Sequence, residues 1–118
     1  MGDYQVVFFE KADGECPAED FIDRLSDKMA AKIYRLLEML SHNGPALREP
    51  YSKHLTDGIF ELRAQAGSDI SRILYFFCIG KRIVVTHGFL KKTQKTPPRE
   101  IMRAKAYRQE YMNQEEFK

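Results

Sequence analysis

Arginine, lysine, histidine and tyrosine are the residue types whose placement in this chain offers chemistry. The 118 residues contain no Gly-x-Ser-x-Gly, no His-Glu-x-x-His, no phosphate-binding loop and no pair of acids at a working spacing. A set of cations suits one reaction above others: stabilising the charge of a phosphoryl transition state by groups already in place. RNA brings its own nucleophile, the 2′-hydroxyl, so such a reaction requires neither a metal nor a covalent protein intermediate. It requires cations on the scissile phosphate, a base for the 2′-hydroxyl and an acid for the leaving oxygen.

Strand alternation selects the candidates. In Ile59-Phe60-Glu61-Leu62-Arg63, the apolar Phe60 and Leu62 face one way, and Glu61 and Arg63 the other. Arg63 therefore points to the open face of a sheet whose apolar side is covered by helices. Arg72 begins the next strand across a short turn and falls beside it. A salt bridge of either arginine with Glu61 is the purely structural alternative. His87 lies near the end of the last strand, where a lone histidine is more often buried and hydrogen-bonded than catalytic. Lys53 and His54 precede the first of these strands and reach the rim of the same face. Phe89 is placed either to stack on a base or to join the core. Lys91, Lys92 and Lys95 lie in a polar loop, 91–97, whose amides and ammonium groups suit phosphate contact. The two cysteines, Cys16 and Cys78, have no Cys-x-x-Cys partner and no histidine at ligand spacing, so neither a metal site nor a cofactor is expected.

The elements that must position these residues follow from periodicity. Residues 4–9 read as a strand. Pro17, followed by Glu19 and Asp20, opens a short helix. Ser26-Asp27 caps a second, with Met29, Ile33, Leu36, Leu37 and Leu40 at helical spacing and Asn43-Gly44-Pro45 as its stop. Residues 46–57 read as irregular. Three strands follow, over 59–64, 70–79 and 82–89, then a basic amphipathic helix over 98–111. The expected fold is α+β, in the order β-α-α-β-β-β-α. An antiparallel sheet carries a helical hairpin on one face, and the first strand adds to the sheet edge. The other face is expected to be free.

Charge sharpens the picture. Residues 1–57 hold 7 Lys and Arg against 11 Asp and Glu; residues 58–118 hold 12 against 6. The excess concentrates in 81–108, with nine basic residues and one acid, Glu100. Such asymmetry fits a face built for polyanions, or else a solvated basic helix and loop. One domain spanning 1–118 is expected from the length. No apolar run approaches the roughly 18–20 residues of a membrane span. The N-terminal residues lack a secretory pattern, and a cytoplasmic protein is expected.

Three segments are more specific together than apart: Gly58-Ile59-Phe60-Glu61-Leu62-Arg63, Ser71-Arg72-Ile73-Leu74-Tyr75, and His87-Gly88-Phe89-Leu90-Lys91-Lys92-Thr93-Gln94-Lys95-Thr96-Pro97. In this order they resemble the RelE/ParE superfamily of bacterial toxins, in particular its phage-related HigB-like branch. The resemblance runs from the first strand to Ile101-x-x-Ala104, and the third segment is its most diagnostic part. It implies a RelE-like fold and the toxin of a type II toxin–antitoxin system. The implied activity is that of a metal-independent, ribosome-dependent endoribonuclease that cleaves mRNA and inhibits translation. Arg63 and Arg72 match the motif arginines, Lys91, Lys92 and Lys95 the basic loop, and Lys53 the lysine-bearing region before the strand. His87 joins Arg63, Arg72 and Lys91 as a catalytic candidate; Lys53, His54, Phe89, Lys92 and Lys95 are the RNA-binding candidates. The C-terminal catalytic tyrosine of RelE has no counterpart at a matching position, since Tyr107 and Tyr111 fall in the expected helix, and the general base stays open. Partners implied by the resemblance are the ribosome with its mRNA and a helix-turn-helix antitoxin of the HigA type, through which alone operator DNA would be reached. The antitoxin is expected on one of two surfaces: the helical hairpin of residues 17–41, which is favoured, or the basic face itself, covered directly by an acidic segment. The alternative function is that of a ParE-like inhibitor of DNA gyrase, with the same fold and no RNA cleavage.

Overall fold

The computed structural model describes residues 2–92 and 95–116. Its elements are β1 (Gln5–Phe8), α1 (Pro17–Asp23), α2 (Asp27–Asn43), a 3-10 turn (Gly44–Ala46), β2 (Ser52–Thr56), β3 (Ile59–Ala66), β4 (Asp69–Cys78), β5 (Arg82–Leu90) and α3 (Pro98–Glu116). The α+β class and the order of the expected elements hold. One strand is added: β2 occupies part of the segment read as irregular. Its pairing with β3 brings Thr56 opposite Ile59. This leaves Asp57-Gly58 as a two-residue loop in which both residues have positive φ, 50° and 77°. That is the primed hairpin turn for which Asp-Gly is the preferred sequence. The strand itself escapes a pattern search because Ser52-Lys53-His54-Leu55-Thr56 offers little apolar alternation and its register shifts between His54 and Thr56.

The strands lie in the order β1-β5-β4-β3-β2. β2 to β5 form an antiparallel meander, whereas β1 runs parallel to β5. The sheet is therefore mixed rather than wholly antiparallel. β1 does take an edge, as expected, but it reaches β5 only after the rest of the chain has crossed the sheet and returned, and a crossover of that length delivers a parallel neighbour.

Both faces of the sheet are covered, in different measure. Proline at the start of α1 and the Ser26 hydroxyl, which accepts from the Met29 amide at 3.2 Å, begin the two helices of the hairpin. The stripe Met29, Ile33, Leu36, Leu37 and Leu40 then packs on Leu62, Ala64, Ile73, Tyr75, Ile83 and Val85. α1 seats directly over β5 at Gly88, where a β-carbon would come within 2.4 Å of the Phe21 ring. The opposite face, expected to be free, is partly roofed by α3. Ala104 and Tyr111 of that helix join Phe9, Ile59, Leu74, Phe76 and Val84 in a second core. Lys105 and Arg108 bind Asp57 at 3.7 and 3.1 Å and fix the helix to the β2–β3 turn. Among the described residues no helix is long and apolar enough to cross a membrane.

Candidate functional site

α3 covers the end of the sheet where β3 begins and β4 finishes. The other end, where β3 finishes and β4 begins, stays open on that face. Strand register places Arg63 opposite Arg72, and Arg72 opposite Phe89. One row along, Lys53 stands opposite Glu61. Lys91 leaves the end of β5 with its amide bonded to the Ile70 carbonyl at 2.8 Å. Four cations from four parts of the chain thus meet around one carboxylate.

Glu61 organises them. Its side chain is 1% exposed. One oxygen accepts from Arg63 Nε at 2.9 Å and lies 3.6 Å from Arg72 Nε; the other accepts from the Thr96 hydroxyl. Glu49 touches Arg63 Nη1 from the solvent side at 3.6 Å. The separation from Glu61 is too long for a hydrogen bond, so the buried Arg72 Nε has no acceptor. Burial pushes the Arg72 guanidinium below its ordinary pKa; Glu61 opposes the shift and Arg63 adds to it. Loss of water likewise lowers Lys91. Arg72, Arg63 and Lys53 push it the same way, and Glu61 pulls against them. Lys91 is thus a lysine disposed to release a proton, beside two arginines able to hold an anion.

The remaining candidates fall elsewhere. His87 is 2% exposed and lies beneath α3. Its Nε2 is 3.0 Å from Glu100, its Nδ1 is 3.1 Å from the Thr86 hydroxyl, and the Tyr107 ring meets it edge-on. Burial holds the imidazole below its ordinary pKa, against the pull of Glu100 and with a push from Arg103. The neutral ring donates Nε2–H to Glu100 and fastens α3 to β5. His54 pairs with Phe60 and so faces the hairpin side; its Nε2 accepts from the Gly58 amide at 3.1 Å. Phe89 is half-buried against the second core and lines a hollow of about 190 Å³ with Lys91, Lys92 and Arg99. Lys92 and Lys95 are exposed on the loop. Thr93 and Gln94, part of the diagnostic third segment, lie outside the described residues. Tyr107 stacks on Phe9 at 4.9 Å, and Tyr111 bonds Arg82 and Glu115, so both tyrosines serve the packing of α3.

Three contributors were not singled out from sequence. Thr96 binds Glu61 across 35 positions of chain, a contact no local pattern announces. Lys32 and Arg35 of α2 line a groove that also reaches Arg63 and Arg72. Their spacing beside the apolar stripe of α2 was the available signal.

Comparison with known proteins adds one match. The family model described as phage derived protein Gp49-like (DUF891) matches residues 20–109, a span that includes every cation of the cluster. Among curated proteins none matches. The match covers most of the chain and both faces of the sheet, and on that ground the chain belongs to the Gp49-like family of phage-derived proteins, a family associated with RelE-like and other toxin-like proteins.

Proposed function

We propose that the protein is a type II toxin of the HigB-like kind, an endoribonuclease that cuts mRNA on the ribosome and stops translation. The observation that carries this reading is the convergence of Lys53, Arg63, Arg72 and Lys91 on one open end of the sheet, with a single buried carboxylate among them. Glu61 and the exposed Glu49 are two carboxylates against these four cations, which leaves the set net positive. Arg63 and Arg72 would hold the non-bridging oxygens of the scissile phosphate and stabilise the charge that grows on them. Attack by the 2′-hydroxyl, whose proton passes to solvent, forms the bond to phosphorus, and the bond from phosphorus to the 5′-oxygen breaks. Lys91, its proton loosened by its surroundings, would protonate that leaving oxygen. The ribosome would supply the alignment of the RNA, and an antitoxin of helix-turn-helix type would hold the protein silent in the host.

Primer-extension mapping on programmed ribosomes tests the reading. New mRNA ends in the ribosomal A site on addition of the protein are expected. Intact mRNA together with gyrase-dependent DNA breaks would instead establish the ParE-like activity.

A further inference from the structure

Beside the cationic cluster, on the side of α2, lies an open groove of about 440 Å³. Its size is within the range of ligand-binding clefts, roughly 300–1,000 Å³. One wall comes from α2. Lys32, Arg35, Leu36 and Met39 stand at positions i, i+3, i+4 and i+7, a single stripe down the helix. The rest of the lining comes from Pro50, Tyr51, Arg63, Ala64, Gln65 and Arg72. Arg63, whose amide is bonded to the Tyr51 carbonyl at 2.9 Å, belongs both to the cluster around Glu61 and to the lining of the groove. The lining contains four cations and no acid.

Among the described residues neither Lys32 nor Arg35 is paired with a carboxylate. Lys32 donates to the Gln65 carbonyl at 2.5 Å, which fixes the ammonium at the rim with two donors still available. Tyr51 is 44% exposed, so its ring is accessible from the groove. Leu36 and Met39 supply that floor. An aromatic face, an apolar floor and a cationic rim together form the elementary site for a base and its phosphate.

We propose that this groove holds the nucleotide next to the scissile phosphate of a single-stranded RNA. The base lies against Tyr51 and Met39, its phosphate is bound by Lys32 and Arg35, and Arg63 is the hinge shared with the reacting phosphate. The assignment rests on the nuclease reading and extends it from one phosphate to a path across the sheet edge. Lys32, Arg35 and Tyr51 become determinants of substrate binding and of base preference at one flanking position, not catalytic residues.

The test is a titration of the isotopically labelled full chain with an all-deoxy tetranucleotide, which lacks the 2′-hydroxyl and stays intact. Amide shifts at Lys32, Arg35, Met39 and Tyr51, together with Arg63, are expected. Affinity should fall roughly ten-fold or more in Lys32→Gln/Arg35→Gln, since two charge-assisted phosphate contacts are lost. Tyr51→Leu should weaken binding while far-ultraviolet dichroism stays unchanged. Shifts confined to Arg63, Arg72 and Lys91 would overturn the groove assignment and leave the nuclease reading standing. Groove shifts produced by an acidic peptide and not by the oligonucleotide would overturn it in favour of a protein partner. Groove binding of the oligonucleotide by a protein that leaves ribosomal mRNA intact would support the nucleotide site and refute the nuclease reading.

Discussion

A carboxylate taken out of water must recover its hydrogen bonds from its neighbours. At Glu61 the hydrogen bonds come from Arg63 and Thr96, and Arg72 Nε stands 3.6 Å away, so the ion pairs that serve as a structural alternative to function also hold the two arginines near each other. Glu61→Gln keeps the volume but offers one acceptor where two oxygens worked. A loss of roughly 1–3 kcal/mol in urea unfolding is expected, together with loss of activity. A variant of unchanged stability and activity would show that the arginines hold themselves in place. His87 has a different fate, and its pH signature follows from burial. Its folded pKa lies below the ordinary value, with burial the leading cause. Above about pH 6.5 the ring is neutral whether the chain is folded or not. As pH falls through that value the unfolded chain takes up a proton that the folded site resists, so the stability contributed by the neutral ring is lost on acidification. Between pH 7 and 5 the wild type should lose stability more steeply than His87→Gln; parallel curves would place the proton elsewhere. The face of Arg63 was legible from alternation, because a period of two leaves no choice, and Arg72 from the short turn that sets the next strand beside it. The burial of His87 was not, because nothing within β5 says where a helix from residues 98–116 will land.

At the scale of elements, that landing is the main correction. α3 was expected as a basic amphipathic helix beside a free face, yet Ala104 and Tyr111 build a second core and Lys105 and Arg108 grip Asp57. The apolar positions of α3 are sparse, and its fixed place comes from long-range ion pairs that no window of sequence contains. The hidden strand β2 is a different case. Asp57-Gly58 is a strong hairpin signal, and only the polar character of Ser52–Thr56 masked what it joined. Since Gly58 has φ of 77°, an L side chain there is strained, and its β-carbon would meet Arg108 Nη1 at 3.3 Å. Gly58→Ala is expected to cost about 1–2 kcal/mol in thermal or urea unfolding, and to loosen Lys53 because β2 carries it. Wild-type stability in that variant would mean that the turn is not the primed type. The parallel docking of β1 on β5 was beyond local reading as well, since the edge a first strand takes is settled only when the last strand arrives.

The charge asymmetry of the whole molecule separates into two jobs. Arg82 binds Glu115 and Tyr111, while Lys105 and Arg108 bind Asp57, so part of the basic second half is structural. Lys53, Arg63, Arg72 and Lys91 remain at the open sheet end, with Lys92 on the adjoining loop. Binding to ribosomes should therefore weaken linearly in log affinity against log salt. Lys91→Gln/Lys92→Gln should lower the slope by roughly 0.7–0.9 for each phosphate contact removed; an unchanged slope would turn this loop away from RNA. End-group analysis of mRNA incubated with programmed ribosomes and the purified protein, with a transition-metal chelator present and free Mg²⁺ held constant, tests the ribonuclease reading directly. A cut in the A site is expected, leaving a 2′,3′-cyclic or 3′-phosphate on one fragment and a 5′-hydroxyl on the other. The rate should be roughly 10²–10³-fold lower in folded Arg63→Ala or Arg72→Ala, the loss typical of removing one pre-placed donor from a developing charge. Fragments carrying a 5′-phosphate and a 3′-hydroxyl, or full-rate cleavage by the folded arginine variants, would contradict that reading.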